Sequence, residues 1–461
     1  MRGRVPKKPF SENPMKAVNM HKEHPATRSK KVSITTLGCK SNQYDSSAIE
    51  ETLSLKDFEV VRFPSVADAY IINTCTVTGK TDYQSRQLVR RVRRMNPGAV
   101  VIVTGCYAEV SPDEVAGIEG VDYILGNPQK GKVAECILSG RRAGSPATLV
   151  GKASGSSPFT LRARGQASRT RANLKVQDGC SKGCAYCIIP RARGASRSLP
   201  LQEVEREIEI LIQNGFREII LTGIHLGAYG EDLVEDGGIA PVLRLIEKKA
   251  YNARFRLSSL DPDEVTDEII EILKTSERVC NHVHIPLQSG DAGVIGLMRR
   301  GYTASVFREK ALRLHSSVPD ISIGVDVIAG FPGEGDSEFG NTLSLLKDLP
   351  VSYMHIFPFS KRRGTPAASF RGQVDPRTVR ERCATLKELD AAKRAAFFGS
   401  SVGKEAEVLI EEARDRRTGM PKGKSKNYIT VLVEGPGVKA GEIVCCALSG
   451  VTPSGMTGER R

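Results

Sequence analysis

No stretch of the 461-residue sequence approaches the roughly 18 consecutive apolar residues that span a bilayer. The first 30 residues hold no apolar core of the kind a secretory signal needs. A cytoplasmic chain with no membrane attachment is expected, and in a reducing compartment its 11 cysteines are poor candidates for disulfides. So many unpaired thiols direct attention to metal or redox chemistry. Acidic residues are absent from Leu138 to Gln177, whereas Arg141, Arg142, Lys152, Arg162, Arg164, Arg169, Arg171 and Lys175 all fall in that stretch. Over the whole chain 67 Lys and Arg oppose 53 Asp and Glu, and the net charge of +14 favours a polyanionic partner such as nucleic acid over an acidic small molecule.

Composition and periodicity divide the chain into five segments. Residues 1–30 are basic and aperiodic, as a disordered tail would be. Residues 31–142 alternate short β-branched runs (Val32 to Leu37, Ala69 to Ile72, Ala99 to Val103) with connections long enough for helices, which predicts a parallel α/β domain. Residues 143–172 read as a basic linker and a phosphate track. Residues 173–398 repeat the strand and helix alternation about six times, at Glu218 to Leu221, Phe255 to Leu257, His282 to Ile285, Ile321 to Ile328 and Tyr353 to Ile356 among others. A full or partial β/α barrel is expected there, with chemistry at the carboxyl ends of its strands. Residues 399–461 change to short strands and Gly-rich turns, the signature of a small β-barrel of a nucleic-acid-binding kind.

Two sets of cysteines carry the chemistry. Cys180, Cys184 and Cys187 lie within eight residues in a CxxxCxxC arrangement. A structural zinc wants four protein ligands and so does a ferredoxin cluster; three thiols leave one iron of a 4Fe-4S cluster open to an external ligand. In this spacing that ligand is the amino and carboxylate group of S-adenosylmethionine, whose reductive cleavage yields a 5′-deoxyadenosyl radical. A zinc site completed by a distant Cys or His is the competing reading. Cys39, Cys75 and Cys106 each follow a predicted parallel strand, and strand ends of one sheet share an edge, so these three should converge on a second 4Fe-4S cluster. The other five, Cys136, Cys280, Cys383, Cys445 and Cys446, show no comparable spacing and are expected to be buried or idle.

The runs Thr36 to Lys40, Asn73 to Val77 and Gly105 to Tyr107, followed by the CxxxCxxC core and a small β-barrel, resemble the radical S-adenosylmethionine methylthiotransferases from about Lys31 to the C-terminus. Within that family the runs Leu37 to Lys40, Cys187 to Gly194, Leu221 to His225 and Phe357 to Arg362 look most like the MtaB type, which converts N6-threonylcarbamoyladenosine at tRNA position 37 to its 2-methylthio derivative. The resemblance implies that Cys39, Cys75 and Cys106 carry an auxiliary cluster that delivers sulfur. It implies that Cys180, Cys184 and Cys187 carry the radical-generating cluster, and that the last domain is an RNA-binding TRAM module. Thr222 and Gly223, Ser258, Asp326 and Gly330 are implied or candidate contacts to S-adenosylmethionine. His284, Gln288, Tyr186 and Arg191 are pocket candidates without an assigned role. The expected partners are the tRNA anticodon loop, an electron donor such as flavodoxin or ferredoxin, and a sulfur donor. Methylthiolation of N6-isopentenyladenosine in tRNA, or of a ribosomal protein aspartate, is the alternative within the family; a zinc-stabilised RNA-binding protein is the alternative outside it. Arg86, Arg90, Arg91, Arg93 and Arg94 on a predicted helix, with Arg414, Arg416, Arg417, Lys422, Lys424 and Lys426 in the last domain, are the further expected RNA contacts.

Overall fold

The computed structural model describes residues 29–151, 161–166, 169–233 and 237–461; residues 1–28 of the expected tail lie outside that set. Strands β1 (Lys31–Thr36), β2 (Glu59–Val61), β3 (Ala69–Thr74), β4 (Val100–Gly105), β5 (Tyr123–Leu125) and β6 (Ala147–Leu149) form one sheet in the order β2-β1-β3-β4-β5-β6. Every pairing in it is parallel. The central strands β3 and β4 are buried along their whole length, so near-continuous apolar runs suit them better than alternation. The register sets Thr36 beside Asn73 and Thr74 beside Gly105, which brings the carboxyl ends of β1, β3 and β4 to one edge. Helices α1 (Lys40–Ser54), α2 (Gly79–Met95) and α3 (Cys106–Val110) follow those three strands. Strands β2, β5 and β6 are too short to show a period. β6 pairs within the stretch read as a linker, where its residues complete the sheet edge.

Strands β7 (Ala172–Lys175), β10 (Glu218–Thr222), β11 (Arg254–Leu257), β12 (His282–His284), β13 (Ser322–Ala329) and β14 (Tyr353–Pro358) make the central domain, as two parallel three-stranded sheets. Parallel bridges from Phe255 to Val279 and from Ser259 to His284 join the halves, giving a six-stranded partial barrel. A separate antiparallel pair, β8 (Gln177–Asp178) with β9 (Arg197–Ser198), closes the base of the cysteine loop. Strands β15 (Glu405–Ile410), β16 (Lys422–Ser425), β17 (Thr430–Glu434), β18 (Ile443–Thr452) and β19 (Gly455–Arg460) close into a barrel.

One buried carboxylate organises much of the contact between the C-terminal barrel and the central domain. Glu218, fully buried, pairs with Arg254 at 2.7 Å and with Arg256 at 2.9 Å. The remaining donors of these arginines reach the backbone carbonyls of Glu407, Lys424, Ser425 and Lys426. Burial disfavours the charged carboxylate, but Arg256 and Arg254 outweigh it and hold Glu218 down at about 2.

Candidate active site between two cysteine loops

The N-terminal cysteines occupy equivalent places at the sheet edge. Cys39 is the N-cap of α1, Cys75 follows β3 directly, and Cys106 opens α3 directly after β4. Cys39 is exposed, whereas Cys75 and Cys106 are buried. Close approach explains the small neighbours. A Cβ added at Gly38 would stand 2.9 Å from Cys75 Sγ, and one at Gly105, where φ is +94°, would stand 2.4 Å from Thr74 O. Asn42 ties the strand ends together by donating to Leu37 O at 2.8 Å and Thr74 O at 2.9 Å. Burial pushes the Cys75 thiol up to about 12, with Cys106 and Cys39 adding.

The second loop lies between β8 and β9. Gly179, at φ +76°, starts it where a Cβ would sit 1.9 Å from Ala195 O. Cys187 N donates to Cys184 O, and helix α4 (Ile189–Arg193) follows. Burial pushes the Cys187 thiol up to about 12, with Cys184 and Cys180 adding. Arg300 Nη1 donates to Cys184 Sγ at 3.1 Å, and the same guanidinium pairs with Asp261. Lys182 joins Asp261 at 2.6 Å and Glu264 at 2.9 Å. Glu264 in turn meets His225. Burial opposes a charged imidazole there, but Cys180 and Glu264 outweigh it and lift His225 to about 9.

The two loops face each other. Helix α3 packs on α4, and Asn127 Nδ2 reaches both Ala192 O at 2.6 Å and Cys106 Sγ at 3.9 Å. Buried Arg193, six positions after Cys187, bonds Asn42 at 2.5 Å and Asp45 at 3.2 Å on α1, and Asp178 at 2.9 Å just before Cys180. Asp45 also holds Lys130 and Lys175, each at 2.6 Å. Beside the loops is a cavity of about 210 Å³ lined by Val77 and Thr78, which follow Cys75, by Tyr186 and Cys187, and by Gln288, Asp326 and Phe357.

Of the expected cofactor contacts, Asp326 faces this cavity and accepts from His284 Nε2 at 2.8 Å and His355 Nδ1 at 3.2 Å. Ser258, directly after β11, has a buried Oγ with no partner among the described residues. Thr222 ends β10, and Gly223 packs so closely on Gln177 that a Cβ would lie 2.8 Å from its Oε1. Gly330 is placed against Val379, 2.3 Å from where its Cβ would be. Arg191 lies beside Gly364.

The arginines read as a phosphate track are in large part engaged by the protein itself. Arg164 and Arg162 pair with Glu207 at 2.6 and 3.4 Å, Arg171 with Glu411 at 2.8 Å, and Arg169 donates to Gln43. Their acid partners lie outside the acid-free stretch, so local composition did not reveal them. On α2, Arg93 is taken by Asp122 and Arg86 by Tyr107, leaving Arg90, Arg91 and Arg94 exposed. Asp45 and Arg300 were missed by motif reading, and Arg193 and His225 fell within quoted motif runs without a role, because their partners lie tens to more than a hundred residues away, as with Arg193 and Asp45, 148 positions apart.

Residues 31–126 match the model of uncharacterized protein family UPF0004, and residues 174–346 match that of the radical SAM superfamily. The threonylcarbamoyladenosine tRNA methylthiotransferase MtaB of Bacillus subtilis (strain 168) is 39% identical over 417 residues, 90% of this chain and 92% of that protein. The Aquifex aeolicus protein of the same name is 37% identical, covering 88% of this chain and 97% of that one. The tRNA-2-methylthio-N(6)-dimethylallyladenosine synthase of Vibrio cholerae is 30% identical, covering 94% and 92%. In fold, the chain superposes on the radical S-adenosylmethionine methyltransferase TsrM of Kitasatospora setae with a TM-score of 0.54 at 14% identity, covering 74% of this chain and 77% of that one. Among the described residues no helix is long and apolar enough to cross a membrane. With two family models matched in order and relatives aligned over nine-tenths of its length, the chain belongs to the radical S-adenosylmethionine tRNA methylthiotransferases.

Proposed function

We propose that the protein methylthiolates N6-threonylcarbamoyladenosine at position 37 of tRNA, with Cys180, Cys184 and Cys187 holding one 4Fe-4S cluster and Cys39, Cys75 and Cys106 a second. The observation that carries this reading is the joining of the two thiol sets by Arg193, beside a cavity bordered by Val77 and Thr78 just past Cys75 and by Cys187. The donor chemistry fits. Each loop offers three sulfurs among small residues, and the other five cysteines lie on a sheet-packing helix, at the foot of β12, on the helix Pro376–Gly399 and on β18. Three thiolates leave one iron position open, whereas a structural zinc closes its shell with four. The bound clusters and S-adenosylmethionine would supply radical formation at one loop and the sulfur at the other.

The chain's own residues then position and exclude. Tyr186, Phe357 and Phe359 give the cavity apolar walls that a flat base can lie against, and Asp326 and Gln288 give it a polar floor. An adenine has to leave the anticodon-loop stack to reach it, and the exposed basic groups Arg414, Arg416 and Arg417 are placed to hold the RNA backbone meanwhile. The threonylcarbamoyl substrate is favoured over isopentenyladenosine by the 39% identity to a relative named for the former against 30% for one named for the latter. Anaerobically reconstituted protein incubated with S-adenosylmethionine, a reductant and tRNA carrying either nucleoside tests this. The 2-methylthio product should form on threonylcarbamoyladenosine; product on isopentenyladenosine alone would overturn the substrate assignment.

A further inference from the structure

A second cavity, of about 610 Å³, lies where the N-terminal sheet, the partial barrel and the C-terminal barrel meet. Its wall includes Lys40, Gln43, Arg171, Asn173 and Tyr428. Lys40 follows Cys39 directly and begins α1, and it is half-buried. Among the described residues its ammonium has no ion pair and no hydrogen bond. The other cations of the wall are accounted for. Arg171 pairs with Glu411 at 2.8 Å and Glu218 at 3.7 Å, Arg169 donates to Gln43 Oε1, and Arg62 is exposed to water. The acids of the wall do not reach Lys40 either. Glu411 is held by Arg171, and Glu412 is exposed. The carboxylate that does act on it, Glu218, is already shared by Arg254, Arg256 and Arg171, so the half-buried ammonium is open to an anion that arrives with a ligand.

The place of that anion follows from the N-terminal triad. Cys75 and Cys106 are buried and Cys39 is exposed, and Lys40 follows Cys39 directly, so the open side of the triad borders Lys40. The threonylcarbamoyl group ends in a carboxylate; the isopentenyl group is a hydrocarbon with no charge to offer.

We propose that Lys40 recognises the carboxylate of the substrate's N6-threonylcarbamoyl group across this cavity, and so determines which modified adenosine is accepted. The assignment rests on the functional reading above. It requires no bond to form or break; the contact is a charge-assisted hydrogen bond from the ammonium to the carboxylate. A backbone phosphate is the other anion that could meet the same ammonium, and it is present whatever the state of the base.

The test uses the full chain with its clusters reconstituted, Lys40→Gln and Lys40→Arg variants, and fluorescent anticodon stem-loops carrying either N6-threonylcarbamoyladenosine or plain adenosine at position 37. Iron content is measured for each variant, so that loss of the neighbouring Cys39 site is seen directly. Lys40→Gln should weaken binding of the threonylcarbamoyl hairpin roughly 10- to 100-fold, the range for a hydrogen bond to a charged group. It should leave the plain hairpin unchanged, and Lys40→Arg should restore most of the preference. Equal weakening on both hairpins would assign Lys40 to phosphate and overturn the proposal, as would an unaltered preference. Wild-type protein that makes no methylthio product on the threonylcarbamoyl hairpin would overturn the functional reading itself. Product together with an unaltered preference in Lys40→Gln would overturn the Lys40 assignment alone.

Discussion

Arg193 Nη2 lies 3.2 Å from Asp45 Oδ2, joining the loop after Cys187 to the helix that begins after Cys39. Both side chains are buried, and Lys130, Lys175 and Asp178 complete the network. Removing one member of a buried ionic network leaves the others unpaired, at a cost of about 3–5 kcal/mol. Arg193→Gln is therefore expected to lower the urea midpoint of the N-terminal and central domains together. A midpoint within error of wild type would show that the network does not couple them.

The contact of Arg300 with Cys184 Sγ places a positive charge against the loop of the central domain. A cation there favours the reduced, more negative cluster. Arg300→Gln should shift the midpoint potential of that cluster to more negative values, read by anaerobic redox titration with electron paramagnetic resonance. An unshifted or raised potential would contradict the placement.

Glu218 supplies a pH dependence whose sign is set by the three arginines around it. Its folded pKa of about 2 is below the ordinary glutamate value of 4.5, so its contribution is complete above pH 4.5 and is lost as the pH falls through that value towards 2. Because the arginines it holds grip the carbonyls of the C-terminal barrel, acid should release that barrel first. Proteolysis near residue 400 should rise between pH 4.5 and pH 3 in wild type. In Glu218→Gln it should already be raised at pH 7.

Gly105 cannot take a side chain without striking Thr74 O, and its φ of +94° disfavours any L residue. Gly105→Ala should spoil the N-terminal cysteine loop while leaving the other intact, so reconstituted iron falls from about eight to about four per chain. Iron unchanged at eight would remove the auxiliary site from this edge of the sheet.

Much of this was legible in the sequence where the signal is local or periodic. The parallel strands that precede Cys39, Cys75 and Cys106 show as β-branched runs, and strand order alone then brings the thiols to one edge. Five of the six barrel strands were readable for the same reason, and Ala172–Lys175 was not singled out. Three-residue strands such as Tyr123–Leu125 were not, being shorter than any period. The linker arginines looked free because Glu207 and Glu411 are distant in sequence and adjacent only in the fold. Lys40 was visible as a residue, but its lack of a partner is a property of three domains packed together.

The nucleoside composition of tRNA from cells with and without this gene bears most directly on the proposed activity. Mass spectrometry of the deletion strain should show 2-methylthio-N6-threonylcarbamoyladenosine gone and N6-threonylcarbamoyladenosine accumulated, with both restored by the wild-type gene but not by a Cys75→Ala copy. Retention of that nucleoside, with loss of the 2-methylthio isopentenyl derivative instead, would contradict the assignment.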